Sequence, residues 1–80
     1  MSVEEIFGLI LREYRTTKGL SQEELAHRSN LDRTFISLLE RGKRRPTINT
    51  IFNIADTLEI NAYEIVRRVE IIYKDNSGLR

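Results

Sequence analysis

The chain has 80 residues, no cysteine, and thirteen Lys and Arg against twelve Asp and Glu, for a net charge of +1. That length fits one domain with a small core, and a chain without cysteine excludes disulfides and thiolate metal sites and suits a reducing cytoplasm. No apolar run approaches the ~18 residues of a membrane span, and the opening Met-Ser-Val-Glu-Glu is acidic where a secretory signal would be basic, so a cytoplasmic protein is expected. The net charge names no partner, but its distribution is uneven. Residues 27–46 hold Arg28, Arg33, Arg41, Lys43, Arg44 and Arg45 against only Asp32 and Glu40, while the remainder carries seven basic and ten acidic residues. Such clustering is expected of a surface that binds a polyanion, although a charge run can equally be a solvated face.

Five helices are predicted, with no strand-like alternation of useful length. Residues 3–18 place Val3, Phe7, Ile10, Leu11 and Tyr14 at three- and four-residue spacing, and Gly19 sits where a helix ends with positive φ. Ser21 opens Ser-Gln-Glu-Glu, a capping box with Glu24, and the short helix it begins ends near Ser29 and Asn30, Asn being tolerated in the left-handed region. Asp32 is read as the N-cap of a helix from Arg33 to about Arg41, closed by Gly42. After the basic loop Lys43-Arg44-Arg45-Pro46, Thr47 caps a helix with Ile48, Ile51, Ala55 and Leu58 on one face. Asn61 opens the last helix, whose stripe is Ile65, Val66, Val69, Ile72 and Tyr73. The polar stretch 74–80, which contains Gly78, is expected to fray. Connections of two to six residues make this one all-α domain over residues 1–73.

Residues 22–41 carry the most specific signal. Two short helices joined by a turn of about four residues cross steeply only if their contact residues are small and the turn can bend. Ala26 meets the first condition and Asn30 the second, while Leu31, Ile36 and Leu39 supply a buried underside.

This segment, with the flanking Arg-x-x-Lys-Gly-Leu-Ser-Gln-Glu-Glu-Leu-Ala, Leu-Glu-Arg-Gly, a basic loop with Pro46 and Ile-x-x-Ile-Ala-x-x-Leu, resembles the Cro/CI-type (XRE) helix-turn-helix regulators. Within that family Asn-Leu-Asp-Arg-Thr-Phe-Ile-Ser-x-x-Glu-Arg-Gly is most similar to the controller proteins of restriction–modification systems. Two positions depart from the pattern: Asn30 replaces a usual Gly, and Ser29 stands where an apolar residue is common. The resemblance implies a five-helix lambda-repressor-like DNA-binding domain with its helix-turn-helix at about 22–41.

It also implies roles for individual residues. The helix starting at Arg33 would enter the major groove of an operator, with Arg33 reading guanine O6 and N7, Thr34 a thymine methyl, and Ser37 a base or phosphate. Phe35 is open between a core position and an apolar contact to thymine. Gln22 matches the position that bonds a phosphate, and Arg41, Lys43, Arg44 and Arg45 would follow the DNA backbone, with Arg44 entering a narrow minor groove. Arg15 and Glu40 match a structural ion pair that ties the first helix to the end of the recognition helix.

A single recognition helix reads about half a turn of DNA, so a two-fold homodimer is expected. Leu9 and Phe52 are apolar at positions often polar in the family, and Ile65, Val66, Val69 and Ile72 exceed what a small core needs. A dimer interface on Phe52, Ile65, Val66, Val69 and Ile72 over helix 61–73 is expected; the alternative is that this helix folds back on its own core.

Nothing reads as an active site. His27 has no partners at metal-ligand spacing, and no phosphate-cradling Gly loop or Ser/His/Asp set is present. The expected protein is therefore not an enzyme and has no metal, cofactor, small-molecule ligand or membrane. It is a nucleoid-associated regulator whose partners are operator DNA, a second copy and RNA polymerase, the last through Glu23 or Glu24. A phage-type repressor or antitoxin of the same fold, or an interaction module that binds no DNA, remains the alternative.

Overall fold

The structure, a computed structural model, describes residues 1–77 and the side chains of residues 1–75. It consists of α1 (Val3–Thr17), α2 (Gln22–Ser29), α3 (Arg33–Glu40), α4 (Ile48–Leu58) and α5 (Ala62–Ser77), with no strand among the described residues.

Local chemistry sets most of the helix boundaries. Ser2 caps α1 and Ser21 caps α2, each in a reciprocal box: the hydroxyl accepts from the backbone N–H three residues on, and the Glu there accepts from the Ser N–H. Those hydrogen bonds hold the Glu5 and Glu24 carboxyls below the ordinary carboxylate range. Thr47 caps α4 through the N–H of Thr50. Asp32 occupies the N-cap of α3 with extended backbone, but its carboxylate makes no capping bond, contrary to the reading from sequence.

The first four helices end alike. A residue with positive φ, namely Gly19, Asn30, Gly42 or Glu59, is followed by one whose N–H reaches back five residues to a carbonyl of the last turn. The followers Leu20, Leu31 and Ile60 pack on the core, so three of the four turns also deliver apolar surface. Asn30 (φ 57°) thus replaces the usual Gly without losing the turn. Glu59 (φ 60°) adopts the same conformation with nothing in its type to announce it.

The core is centred on the fully buried Ile6, Leu11, Leu25, Ile36, Leu39, Ile54, Leu58 and Ile65, each contributing about 1.5–3 kcal/mol by burial. Helix α1 packs against α3 and α5, α2 against α3 and α4, and α4 against α5. Gly8 permits the close approach of α1 to the end of α3, since a Cβ there would lie 2.4 Å from the Glu40 carbonyl oxygen. Ser29, polar at a usually apolar position, is buried with its hydroxyl donating to the Leu25 carbonyl at 2.5 Å. Its own carbonyl accepts from Asn53 Nδ2 at 2.7 Å, which fixes α4 to the end of α2.

Several expectations are corrected here. Ile48, placed on the buried face of α4, is exposed, and Ile54 fills the core instead. Of the α5 residues assigned to a dimer interface, Ile65 is fully buried in the core of the single chain and so is not free to meet a partner, while Val69, 9% exposed, packs on that core and lines a surface groove beside Val66. The folding back of α5 holds for these two, whereas Val66 on the same helix and Phe52 on α4 are exposed and Ile72 is half-buried. Helix α5 also continues past residue 73 to Ser77, because no breaker precedes Gly78 and Lys74 pairs with Glu70 one turn earlier. The rest of the predicted polar tail, 78–80, lies outside the described residues. Among the described residues no helix is long and apolar enough to cross a membrane.

Candidate nucleic-acid interface

Helix α3 divides cleanly. Ile36, Leu39 and Glu40 face inward, and the opposite side carries Arg33 and Thr34, both exposed, and the half-buried Ser37, with exposed Arg41 at the C-cap. Ser37 lies four residues after Arg33 and three after Thr34, so it neighbours both one turn on along the same side of α3. Among the described residues Arg33 and Thr34 have no side-chain hydrogen bond to the protein, so their donors are open to an external acceptor.

Phe35 flanks this face, half-buried against the core, and the Arg44 guanidinium lies over its ring at 5.5 Å from the centroid. The aromatic therefore serves the core and a loop cation together, and the stacking positions Arg44 at the edge of α3. The loop residues Lys43, Arg44 and Arg45 are all exposed but not equivalent, since Arg45 Nε lies 3.0 Å from Glu4 Oε2 at the start of α1. Gly42 seats the loop against that same turn; a Cβ there would come within 2.9 Å of the Glu5 Cα.

Beneath α3, Arg15 and Glu40 form the ion pair that the resemblance implied. Arg15 Nε donates to Glu40 Oε2 at 2.6 Å, Nη2 to Oε1 at 3.0 Å, and Nη1 to the Leu20 carbonyl at 2.8 Å. Burial alone would raise the Glu40 pKa, but hydrogen bonds from Arg15 and Gln22 and the Arg15 charge outweigh it and hold the carboxyl below its ordinary value. The Arg15 pKa is raised by its hydrogen bonds to Glu40. Gln22, expected at a phosphate, donates one N–H to Glu40 Oε1 at 3.0 Å and keeps a second available. Arg12, which the sequence reading passed over, adds a further donor to that oxygen at 3.3 Å; its signal was its place one turn before Arg15 on the same helix face. His27 is exposed.

The assembled surface is a helix face of open donors bordered by a basic loop and backed by a fixed ion pair. Among the described residues no group of three or more His, Cys, Asp or Glu is placed to hold a metal ion. The sequence pattern of the helix-turn-helix family matches residues 11–65, a span that begins in α1, contains the whole of α2 to α4 and ends in the first turn of α5. The chain belongs to the XRE-type helix-turn-helix family.

Within this family it is similar to restriction–modification controller proteins. The control protein C.SmaI of Serratia marcescens is 37% identical over 68 residues, covering 85% of this chain and 81% of that protein. The controller protein C.AhdI of Aeromonas hydrophila is 46% identical in its crystal structure, with a TM-score of 0.75 over 76% of this chain and 92% of that one. The controller protein C.Esp1396I, solved as a tetramer with its natural 35 base-pair operator, is 33% identical with a TM-score of 0.75, over 86% of this chain and 96% of that one. Helices α2 and α3, joined by a short turn, lie wholly within the matched span, and α1 and α4 pack against them.

Proposed function

We propose that the chain is a sequence-specific DNA-binding transcriptional regulator of the restriction–modification controller kind, acting as a homodimer on a two-fold operator. The observation that carries this reading is the outward face of α3, where Arg33, Thr34 and Ser37 stand beside Arg41 and the basic loop on a helix fixed from below by Arg15 and Glu40. Arg33 reads guanine through paired N–H donors, Thr34 and Ser37 supply shorter contacts, and Phe35 meets a thymine methyl with the part of its ring left uncovered. Gln22, Arg41, Lys43 and Arg44 hold phosphates, with Arg44 at the minor groove and Arg45 tethered to Glu4.

The dimer forms through the exposed apolar side chains of α4 and α5, Phe52 and Val66, with Ile72 at the margin. Glu23 or Glu24, both exposed in the first turn of α2, is the contact to RNA polymerase. The regulator works at the nucleoid, in the cytoplasm, and carries out no catalysis.

Selection of bound duplexes from a random pool, followed by binding of the winner across a salt series, tests this reading. A two-fold sequence whose log affinity falls linearly with log salt is expected. Retention of no duplex at low salt would leave an interaction module as the better description.

A further inference from the structure

The ion pair below α3 carries more positive charge than it needs. The Glu40 side chain is fully enclosed, and the buried Arg15 already balances it with two hydrogen bonds. Arg12 brings a second guanidinium to the same carboxylate through Nε, at 3.3 Å, with its side chain 54% exposed. Two guanidinium groups on one carboxylate leave a net positive charge at the surface, and that charge is Arg12's. Its Nη groups have no protein acceptor among the described residues. Gln22 Nε2, at 3.0 Å, bonds the same Oε1 and retains one N–H. Two donors that share one acceptor oxygen are neighbours, and each keeps N–H groups that this oxygen does not use.

Building on the DNA-binding reading above, we propose that Arg12 and Gln22 form a clamp for one backbone phosphate of the bound duplex, set in position by Glu40. A guanidinium edge matches two phosphate oxygens, and the amide takes a lone pair on one of them. Because Glu40 closes α3, the clamp fixes the recognition helix relative to the DNA backbone at a point separate from the basic loop. Arg12 positions the protein and reads no base.

The test uses the duplex selected with the wild-type chain, in which each phosphate is replaced in turn by an uncharged methylphosphonate. The wild type is expected to lose about tenfold in affinity at the clamped phosphate of each half-site, a position distinct from the phosphates held by Arg41, Lys43 and Arg44. Arg12→Met should bind the unmodified duplex about tenfold more weakly, become insensitive to that one replacement, and show a salt slope flatter by about 0.9 per half-site. Arg12→Lys, which keeps the charge, should recover the slope. An Arg12→Met variant with the wild-type slope and the wild-type methylphosphonate profile overturns the clamp. So does a loss of affinity matched by an equal fall in melting temperature for both variants, since Arg12 would then act only on the fold. If the wild type selects no duplex, the DNA-binding reading itself fails and the clamp with it.

Discussion

Arg15 and Glu40, 25 residues apart in the chain, meet through two parallel hydrogen bonds of 2.6 and 3.0 Å beneath α3. The pair welds α1 to the last residue of α3, and Arg15 extends the connection to the Leu20 carbonyl just before α2. One guanidinium therefore joins three elements, and both helices of the motif depend on it.

Breaking the pair from one side leaves a buried charge without its partner. Glu40→Gln or Arg15→Met should cost about 3–5 kcal/mol, a large part of the stability of a domain this small, as measured by urea denaturation. Acid acts on the same contact. The Glu40 pKa is lowered in the folded chain relative to the ordinary 4.5, so its stabilisation is complete above about that pH and is lost as pH falls through the folded value. Glu5 and Glu24 share this direction through their capping bonds. Stability measured against pH should therefore drop below about 4.5, with a shallower acid limb in Glu40→Gln.

Gly8 is the second constraint on how α1 meets α3. An added methyl would face the Glu40 and Leu39 carbonyl oxygens at 2.4 and 2.6 Å, both of them backbone atoms that cannot swing aside. Gly8→Ala should destabilise by about 1–3 kcal/mol or more through overpacking, despite the better helix propensity of Ala. An unchanged urea midpoint would show that the helices separate without cost.

Arg33 is exposed and outside the core, so Arg33→Ala should leave the melting curve within about 0.5 kcal/mol of wild type. Discrimination between the selected operator and a duplex altered at the guanine proposed for Arg33 should shrink by about 1–3 kcal/mol. Competition binding measures this directly, and unchanged discrimination would move base reading to another residue.

Apolar residues of α4 and α5 should separate folding from association. Val69→Asp places a charge in the core and should unfold the chain, whereas Val66→Asp and Phe52→Asp alter side chains that are 47% and 57% exposed and should yield folded monomers. Circular dichroism with sedimentation distinguishes the two behaviours. A folded dimer surviving both Val66→Asp and Phe52→Asp would place the interface elsewhere.

Glu59 sits in the left-handed region at φ 60°, where an L side chain is strained. Glu59→Gly should relieve that strain and, after the greater freedom of Gly in the unfolded chain is counted, stabilise by about 0.5–1 kcal/mol. The exposed contact of Glu59 with Lys18 offsets little of this. The urea midpoint should rise.

The sequence by itself determined what depends on residues close together in the chain. Ser21 with Glu24, Thr47, Gly19, Asn30 and Gly42 mark helix ends through bonds spanning three to five residues, so their meaning is local and readable. The Ala26 to Leu39 pattern likewise fixes the helix-turn-helix, because its geometry is set by a short turn. Tertiary structure decided the rest. Ile65, Val66 and Val69 are alike in hydrophobicity, and only the direction from which α1 and α4 approach α5 determines that two are core and one is surface. Glu59 takes a left-handed turn because packing of Ile60 onto the core holds it there. Arg12 joins the Glu40 carboxylate only when α1 lies across the end of α3. A carboxylate 28 residues away in sequence is a partner that periodicity along a single helix cannot reveal.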